Sequence, residues 1–257
     1  MCYIPCSISK NIEFSYLGRQ YPMSLSICRL PHDLVSDVDI TSILHPHETH
    51  YYNILKFKRR MHSYILGRFA AKNAIKEIVG SDISFNHIQI VSGVFNHPVV
   101  FHTLCNNVQV SITHSGMFGG AISFLESTPM GVDLEEIKNE NLDLLASQMT
   151  INEKNIICAL PYSEIASYTI LWTAKEALSK VLKTGLTTPF YFLEISELQL
   201  KNDSVIGLYK NYPQYSVCCF ILDTYVCSIA YPKLCEINLE SIKVWMQSAS
   251  NSLFTVS

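Results

Sequence analysis

Trp172-Thr173-Ala174-Lys175-Glu176-Ala177-Leu178-Ser179-Lys180 lies within the most regular helical pattern of the chain. Apolar residues recur around it at spacings of three and four, which predicts one buried helix face; they are Leu171, Ala174, Leu178 and Val181. We predict a helix over residues 163–183, because Ser163 can cap its start and Gly185 can supply a left-handed stop. This helix organises the second half of the chain.

Short strand patterns flank this helix on both sides. Before it, alternating apolar residues predict strands at residues 24–30, 87–91, 98–101, 108–113, 118–124 and 131–135. After it, strands are predicted at 190–200, 205–209, 215–222 and 225–231. Further helices are predicted at 46–56, 58–79, 141–148, 152–159 and beyond Asn238. The pattern predicts an α+β fold. One long helix and several strands in each half are compatible with two similar lobes, which we divide at residues 1–125 and 126–257.

The composition excludes several classes of protein. The chain has 257 residues, of which 48% are hydrophobic and 16% charged, so it can bury a core and is not expected to be disordered. A formal net charge of −3 gives no basic signature for nucleic acid, and the apolar runs are too short to span a membrane. Residues 1–10 lack a signal-peptide pattern, and the nine cysteines include no CxxC pair. We therefore expect reduced thiols in a cytoplasmic protein.

Gly131-Val132-Asp133-Leu134-Glu135 contains two acidic residues in a predicted strand. Residues two apart in a strand share a face, so Asp133 and Glu135 point the same way. Two parallel carboxylates repel each other unless a cation lies between them, and such a partial set of oxygen ligands suits Mg²⁺. The alternative is an exposed strand face with ordinary acids.

The predicted helix carries a second polar face. Trp172, Glu176 and Lys180 are each four residues apart and lie on roughly the opposite side from the apolar stripe. A carboxylate one turn from an ammonium could serve a catalytic site. It could equally be a surface pair, worth about 0.3–0.5 kcal/mol.

The long helix predicted at residues 58–79 is basic. Arg68, Lys72 and Lys76 form a stripe at spacings of four, and Arg59 and Arg60 lie near its start. Like charges in a row are unfavourable in an isolated helix, and a ligand with several phosphates would relieve that cost. A solvated basic face is the alternative.

Residues 111–116 end a predicted strand in hydroxyl groups, a histidine and a glycine. Such a strand end can hold a phosphate. Ser111 or Ser115 beside His114 would also suit a hydrolase, but no G-x-S-x-G motif is present. The histidine-rich segment 45–50 lacks the HExxH spacing and is predicted to lie at the surface.

Together these segments resemble the 4′-phosphopantetheinyl transferase superfamily, and specifically its larger, pseudo-dimeric members that activate peptide and polyketide synthases. Residues 131–135 match the family's G-[VI]-D-x-E motif and residues 172–180 match W-x-x-K-E-[AS]-x-x-K. The segments 60–72 and 110–116 are also similar, so the resemblance spans about residues 56–188. Thr113 and Ser111 replace the family's usual Ser and Asn, and His97 replaces the basic residue of a G-[KR]-P turn.

The resemblance implies a metal centre and its catalytic groups. Asp133, Glu135 and Glu176 would bind Mg²⁺, with Mn²⁺ left open. Glu176 would also help to deprotonate the substrate serine. Lys180 would neutralise charge on the phosphoryl group, and Lys175 would support the site.

The resemblance also implies a nucleotide site between the two lobes. Coenzyme A would be the substrate, and its phosphates would be held by a set of basic and hydroxyl residues; these are Arg59, Arg60, Arg68, Lys72, His97, Thr113 and His114. A serine of an apo carrier protein would attack the phosphorus that bears pantetheine, and 3′,5′-ADP would leave. The family also implies a monomer with pseudo-twofold lobes.

Two other functions use the same residues. One is a metal-dependent phosphohydrolase of coenzyme A or of carrier-bound phosphopantetheine, with water as the acceptor. The other is a non-catalytic protein that binds coenzyme A or a carrier. For the transferase, residues 139–161 are the candidate carrier surface, because Leu142, Leu145 and Ile157 look exposed; the alternative is that they belong to ordinary core helices.

Overall fold

The computed structural model describes residues 3–80, 82–102 and 107–254. Within these residues the strands form two five-stranded sheets and one two-stranded ribbon, and all the pairings within them are antiparallel. Helices pack on both sheets. The α+β prediction is confirmed.

The first sheet collects strands from both ends of the described chain. They are β1 (Cys6–Tyr16), β2 (Arg19–Arg29), β5 (Val108–Ser115), β6 (Phe118–Leu125) and β12 (Cys235–Glu236). Their spatial order is β12-β1-β2-β6-β5. The ribbon pairs β3 (Gln89–Ser92) with β4 (Pro98–Phe101). Leu17 and Gly18 turn the first hairpin with φ of 51° and 75°, a geometry that matches the twist of the flanking strands.

The second sheet comes from the second half of the chain. Its strands are β7 (Gly131–Glu136), β8 (Ile195–Lys201), β9 (Ser204–Tyr209), β10 (Tyr215–Leu222) and β11 (Tyr225–Pro232). Their order is β7-β11-β10-β9-β8, so β7 forms an edge.

Seven α-helices complete the described fold: α1 (Ile40–Ile43), α2 (Pro46–Ile54), α3 (Lys58–Val79), α4 (Leu142–Ser147), α5 (Ile151–Ile157), α6 (Glu164–Val181) and α7 (Leu239–Phe254). Helix α3 packs on the first sheet and α6 on the second. The Ser163 side chain accepts a hydrogen bond from the backbone of Ala166 and caps α6, as predicted. None of the described helices combines the length and apolar character that crossing a membrane requires.

The two halves repeat one order of elements. The series β2-α2-α3-β3-β4-β5-β6 in the first half corresponds to β7-α5-α6-β8-β9-β10-β11 in the second. The sheet orders β2-β6-β5 and β7-β11-β10 also correspond. The prediction of two similar lobes is confirmed. The division at residues 125 and 126 stays a prediction, because β12 returns to pair with β1 of the first lobe and α7 packs on strands of both lobes.

One hydrophobic core joins the lobes. Leu25 and Phe118 of the first sheet pack in the same buried cluster as Val132 and Phe220 of the second, and Met246 of α7 joins them. Each long helix has its own core against its sheet. The face between the sheets is therefore dry, and a polar group placed there must be hydrogen-bonded.

Gly131 explains how closely α6 approaches β7. A Cβ atom at this position would lie 2.0 Å from the carbonyl oxygen of Ala177. Any side chain would therefore push the helix off the strand. The glycine of the acidic motif thus brings the polar face of α6 to the strand that carries Asp133.

Several details differ from the sequence prediction. Helix α1 and strands β1 and β12 were not predicted, and in β1 the reason is that Lys10 interrupts the apolar alternation. The strand predicted at 190–200 begins only at Ile195, since residues 190–193 form a 3₁₀ turn. The first left-handed residue after α6 is Lys183, with φ of 57°, two positions before Gly185.

Candidate active site

Asp133 and Lys180 meet where β7 passes under α6. The Lys180 ammonium donates to Asp133 Oδ1 at 2.7 Å and to the Val132 carbonyl oxygen at 2.8 Å. Asp133 is only 4% exposed, and Lys180 reaches it from the helix face that was predicted to be polar. This face is half-buried against β7, so the pair is not a surface salt bridge.

Glu135 and Glu176 complete an acidic cluster around Asp133. Burial is the main cause that raises the pKa of each glutamate to about 7, and the Asp133 carboxylate adds to it. Asp133 Oδ2 and Glu176 Oε1 are buried without a hydrogen-bond partner among the described residues. Unpaired oxygens on crowded carboxylates favour a cation.

The cluster is not a finished metal cage. In the part of the chain that the structure describes, no three His, Cys, Asp or Glu side chains already converge on one ion position. A magnesium site needs fewer protein ligands than such a cage, because Mg²⁺ usually keeps several waters and shares its coordination sphere with substrate phosphates. The cluster therefore fits a magnesium ion that is bound together with a phosphate ligand.

A cavity of about 890 Å³ opens beside this cluster against the first lobe. Its walls come from α2, α3, the ribbon and β5, and the lining includes the basic residues Arg59, Arg60, Arg68 and His114. Its size lies within the range of clefts that bind small-molecule ligands. The structure thus brings four of the seven predicted phosphate-binding residues to one cavity.

His114 lies at the end of β5, at the mouth of this cavity. Desolvation by the surrounding protein is the main cause that lowers the pKa of His114, and the positive charges of Lys180 and Arg59 lower it further. Because Lys180 also holds Asp133, His114 connects the cavity to the acidic cluster.

Lys72 does not line the cavity. Its side chain is fully buried, its ammonium is hydrogen-bonded to the Glu48 carboxylate, and it also donates to the Ile43 carbonyl oxygen at 2.8 Å. Burial lowers the pKa of Lys72 to about 8, against the pull of Glu48. The prediction that Lys72 contacts a phosphate is therefore corrected: this lysine holds α3 to α2.

Residues 45–50 lie largely at the surface, as predicted, with Glu48 as the exception. Glu48 is 3% exposed, and it accepts from the backbone N–H groups of His45 and Ile90 at 2.9 and 3.0 Å. It also pairs with Arg68 at 3.2 Å. Glu48 thus fixes one of the arginines of the cavity wall.

Lys175 repeats this arrangement in the second lobe. Its buried ammonium donates to Glu153 at 2.7 Å, and Glu153 accepts from the backbone N–H groups of Thr150 and Ile195. Among the described residues, the Lys175 ammonium contacts Glu153 and the Gln148 carbonyl oxygen and no carboxylate of the acidic cluster. Its predicted catalytic role is corrected to a positioning role, in which it fixes the helix that carries Glu176.

Thr113 is already engaged inside the protein. Its hydroxyl donates to Asp133 Oδ1 at 3.0 Å and accepts from the Leu134 N–H at 3.0 Å. The one hydroxyl hydrogen is used, so none remains for a phosphate oxygen. The structure places Thr113 under the acidic cluster rather than in the phosphate site.

Neither His97 nor Trp172 lines the main cavity. His97 lines a second cavity of about 190 Å³ together with Lys180 and Lys183. Burial, and then Lys183, lower the His97 pKa. Trp172 stacks on Phe190, with ring centroids 4.7 Å apart.

Sequence reasoning missed the roles of Glu48, Glu153 and Ser115. A signal for the two glutamates was present, since each stands three residues after its helix N-cap in a capping box. That pattern predicts a local cap and not the buried ion pair that the same carboxylate forms. Ser115 donates to Glu135 Oε2 at 3.0 Å, a contact between lobes that no local pattern shows.

The second lobe matches a known family. Residues 129–230, which include β7, α6 and the acidic cluster, match the model of the 4′-phosphopantetheinyl transferase superfamily. A holo-[acyl-carrier-protein] synthase of Halalkalibacterium halodurans is 34% identical over 91 residues, which cover 34% of this chain and 76% of the relative. A second such synthase, from Exiguobacterium sibiricum, is 27% identical over 104 residues, or 39% of this chain and 80% of the relative.

Solved structures of the same kind are also similar. A holo-(acyl-carrier-protein) synthase from Bacillus anthracis, solved in complex with CoA (3′,5′-ADP), has a TM-score of 0.35 and 23% identity and covers 44% of this chain and 96% of that one. The Plasmodium yoelii synthase has a TM-score of 0.34 and 18% identity and covers 46% and 96%.

Proposed function

The chain belongs to the 4′-phosphopantetheinyl transferase superfamily, and on this premise we propose that it moves the 4′-phosphopantetheine arm of coenzyme A to a serine of an apo carrier protein. Mg²⁺ assists, and 3′,5′-ADP is released. The observation that carries the proposal is the pair of buried, unpartnered oxygens on Asp133 and Glu176, beside Lys180 and next to a cavity lined with arginines.

The donor atoms fit a hard divalent cation. Asp133, Glu135 and Glu176 offer carboxylate oxygens, which are the ligands that Mg²⁺ and Mn²⁺ take. When bound, the ion supplies Lewis-acid polarisation and neutralises negative charge on the pyrophosphate. Lys180 already neutralises one oxygen of Asp133, which leaves the unpaired oxygen for the ion.

The large cavity is the proposed site of coenzyme A. Arg59 and Arg60 are exposed at its rim and can reach phosphate oxygens, whereas Arg68 is held in the wall by Glu48. A guanidinium suits this task because its donors match phosphate geometry. His114 would donate to a phosphate at the junction between the cavity and the acidic cluster.

Glu176 is the proposed base. A pKa near 7 allows its carboxylate to accept the proton of the carrier serine at neutral pH. The serine oxygen forms a bond to the phosphorus that bears pantetheine, and the bond from that phosphorus to the bridging oxygen of 3′,5′-ADP breaks. Lys180 would stabilise the charge that develops on the transferred group.

The carrier surface is proposed to lie on α4 and α5, with different residues from those expected. Leu145 and Ile157 are 6% exposed and belong to the core, so the prediction that they form a surface was wrong. The same segment instead exposes Leu144 and Ile151, at 58% and 80%. Exposed apolar side chains of this kind suit a transient protein partner.

Incubation with coenzyme A, Mg²⁺ and an apo acyl or peptidyl carrier, followed by intact-mass spectrometry, tests the function. Gain of the phosphopantetheine arm by the carrier supports the transferase. Loss of coenzyme A without carrier modification indicates a phosphohydrolase instead, and no turnover indicates a binding protein.

We also propose a monomeric, cytoplasmic enzyme, since both lobes are in one chain and the seven cysteines in the described residues are free.

A further inference from the structure

Strand β7 is an edge strand whose outer side faces the other lobe. On one side it pairs with β11, residue by residue from Gly131 to Glu136. On the other side lies β5, which belongs to the first sheet and does not pair with β7 as a strand. An unpaired edge in a buried position must find other acceptors for its N–H groups.

Side-chain hydroxyls of β5 provide those acceptors. The N–H groups of Val132, Leu134 and Glu136 donate to side-chain oxygens at 3.1, 3.0 and 3.2 Å. The acceptors are Ser111, Thr113 and Ser115, in that order. Both sets recur every two residues, so a row of hydroxyls replaces the row of backbone carbonyls that a neighbouring strand would present. We call this row the hydroxyl ladder.

Two rungs of the ladder also touch the acidic cluster. Thr113 donates to Asp133 Oδ1 and Ser115 donates to Glu135 Oε2, each at 3.0 Å. Thr113 thus contacts two consecutive residues of β7, the Asp133 carboxylate and the Leu134 N–H group. Ser115 does the same with the Glu135 carboxylate and the Glu136 N–H group. At the third rung the corresponding residue is Gly131, which has no side chain, so within the described part of the chain Ser111 hydrogen-bonds to no carboxylate.

We propose that Thr113 and Ser115 are positioning residues, which orient the metal-binding carboxylates of Asp133 and Glu135. The hydroxyl ladder that contains them also holds the two lobes together. The proposal rests on the proposed function, because it takes Asp133 and Glu135 as ligands of Mg²⁺. Each hydroxyl uses its lone pair for lobe docking and its hydrogen for carboxylate orientation. The geometry of the cation site is therefore tied to lobe contact, and groups that orient metal ligands in this way commonly contribute 10–100-fold to affinity.

The chain contains its own matched control. Ser115→Ala and Ser111→Ala each remove one hydroxyl and one acceptor for a β7 N–H group, and only Ser115→Ala removes a contact with a carboxylate. We expect similar losses of thermal stability from the two variants. Magnesium binding, measured by calorimetric titration of the coenzyme-A-bound protein with MgCl₂, should weaken by about 10-fold or more in Ser115→Ala and by less than about 2-fold in Ser111→Ala. Ser115→Thr, which keeps the hydroxyl, should restore the affinity of the parent.

The outcomes separate the inference from the function on which it rests. If the parent itself shows no magnesium binding, the metal assignment fails and so does the inference that depends on it. If the parent binds and both alanine variants bind equally well, or both weaken equally, the ladder does not aim the carboxylates although the metal assignment stands. Should Ser115→Ala fail to fold, Thr113→Ser and Thr113→Val provide the same comparison at the neighbouring rung: Val must weaken binding and Ser must not.

Discussion

Replacing Glu176 with Gln should stabilise the metal-free protein at pH 8 and leave its stability at pH 5 almost unchanged. Burial, reinforced by Asp133 and opposed by Lys180, raises the pKa of Glu176 from an ordinary 4.5 to about 7. Between these values the folded protein holds a proton that the unfolded chain has lost. Stability therefore falls as the pH rises through this window, and above it the full penalty applies. Gln has the shape of the protonated acid without the penalty.

The expected size of the effect follows from the two pKa values. A change from 4.5 to about 7 corresponds to roughly 3.4 kcal/mol, at 1.36 kcal/mol for each tenfold change in acidity. Glu176 is only half-buried, and Glu135 competes for the same proton, so we expect about 1–2 kcal/mol. For a chain of this length that is a rise in Tm of about 3–6 °C.

Thermal unfolding followed by circular dichroism, from pH 5 to pH 8 in EDTA, measures this difference. Glu197→Gln is the control, because Glu197 is exposed on β8 and away from the acidic cluster; its stability should follow that of the parent at every pH. Addition of Mg²⁺ at pH 8 should raise the Tm of the parent more than that of Glu176→Gln.

A difference between parent and Glu176→Gln that stays constant from pH 5 to pH 8 would refute the reasoning. It would mean that Glu176 titrates alike in the folded and unfolded chains. The carboxylate would then not be buried against Asp133, and the cluster would lose the repulsion that favours a cation.

Three further predictions concern the acidic cluster and the basic wall. Lys180→Ala should lower kcat for transfer by more than it raises KM for coenzyme A, because it removes charge that acts mainly in the transition state; steady-state kinetics would show equal effects if this is wrong. The double variant Arg59→Ala/Arg60→Ala should raise KM for coenzyme A by about 10-fold or more, as loss of a charged hydrogen bond does, whereas Lys72→Ala should chiefly lower the free energy of unfolding in urea, by about 3–5 kcal/mol. Asp133→Ala should abolish transfer with an unchanged circular dichroism spectrum, and EDTA should reproduce that loss in the parent until Mg²⁺ is added in excess.

The elements of the fold could be predicted largely because they are marked locally. Helix α3 begins and ends where its pattern predicted, since Gly80 interrupts the helix directly after Val79. The acidic cluster could be predicted because two-residue spacing in a strand fixes the face of Asp133 and Glu135. Strand β1 could not, because Lys10 breaks its alternation and the strand is held by pairing with β2 over its whole length.

The roles of the lysines could not be predicted, because burial of a charge depends on a partner distant in sequence. Lys72 and Lys175 stand on helices in positions that suit either solvent or a ligand. Each is instead neutralised by a glutamate from a short helix, 24 residues away for Lys72 and 22 for Lys175. The repetition of this pair in both lobes argues for a structural role, since only one lobe carries the acidic cluster.

Thr113 shows the same limit at a single hydroxyl. A hydroxyl has one hydrogen to donate, and a phosphate oxygen can only accept. In the sequence Thr113 stands beside His114 at a predicted strand end, and this position predicts that its hydroxyl hydrogen can be donated to a phosphate. In the folded protein that hydrogen goes to Asp133, because the lobes meet along β5 and β7. A phosphate contact by Thr113 would leave Asp133 Oδ1 with Lys180 alone, so phosphate binding by Thr113 and carboxylate orientation compete for one proton.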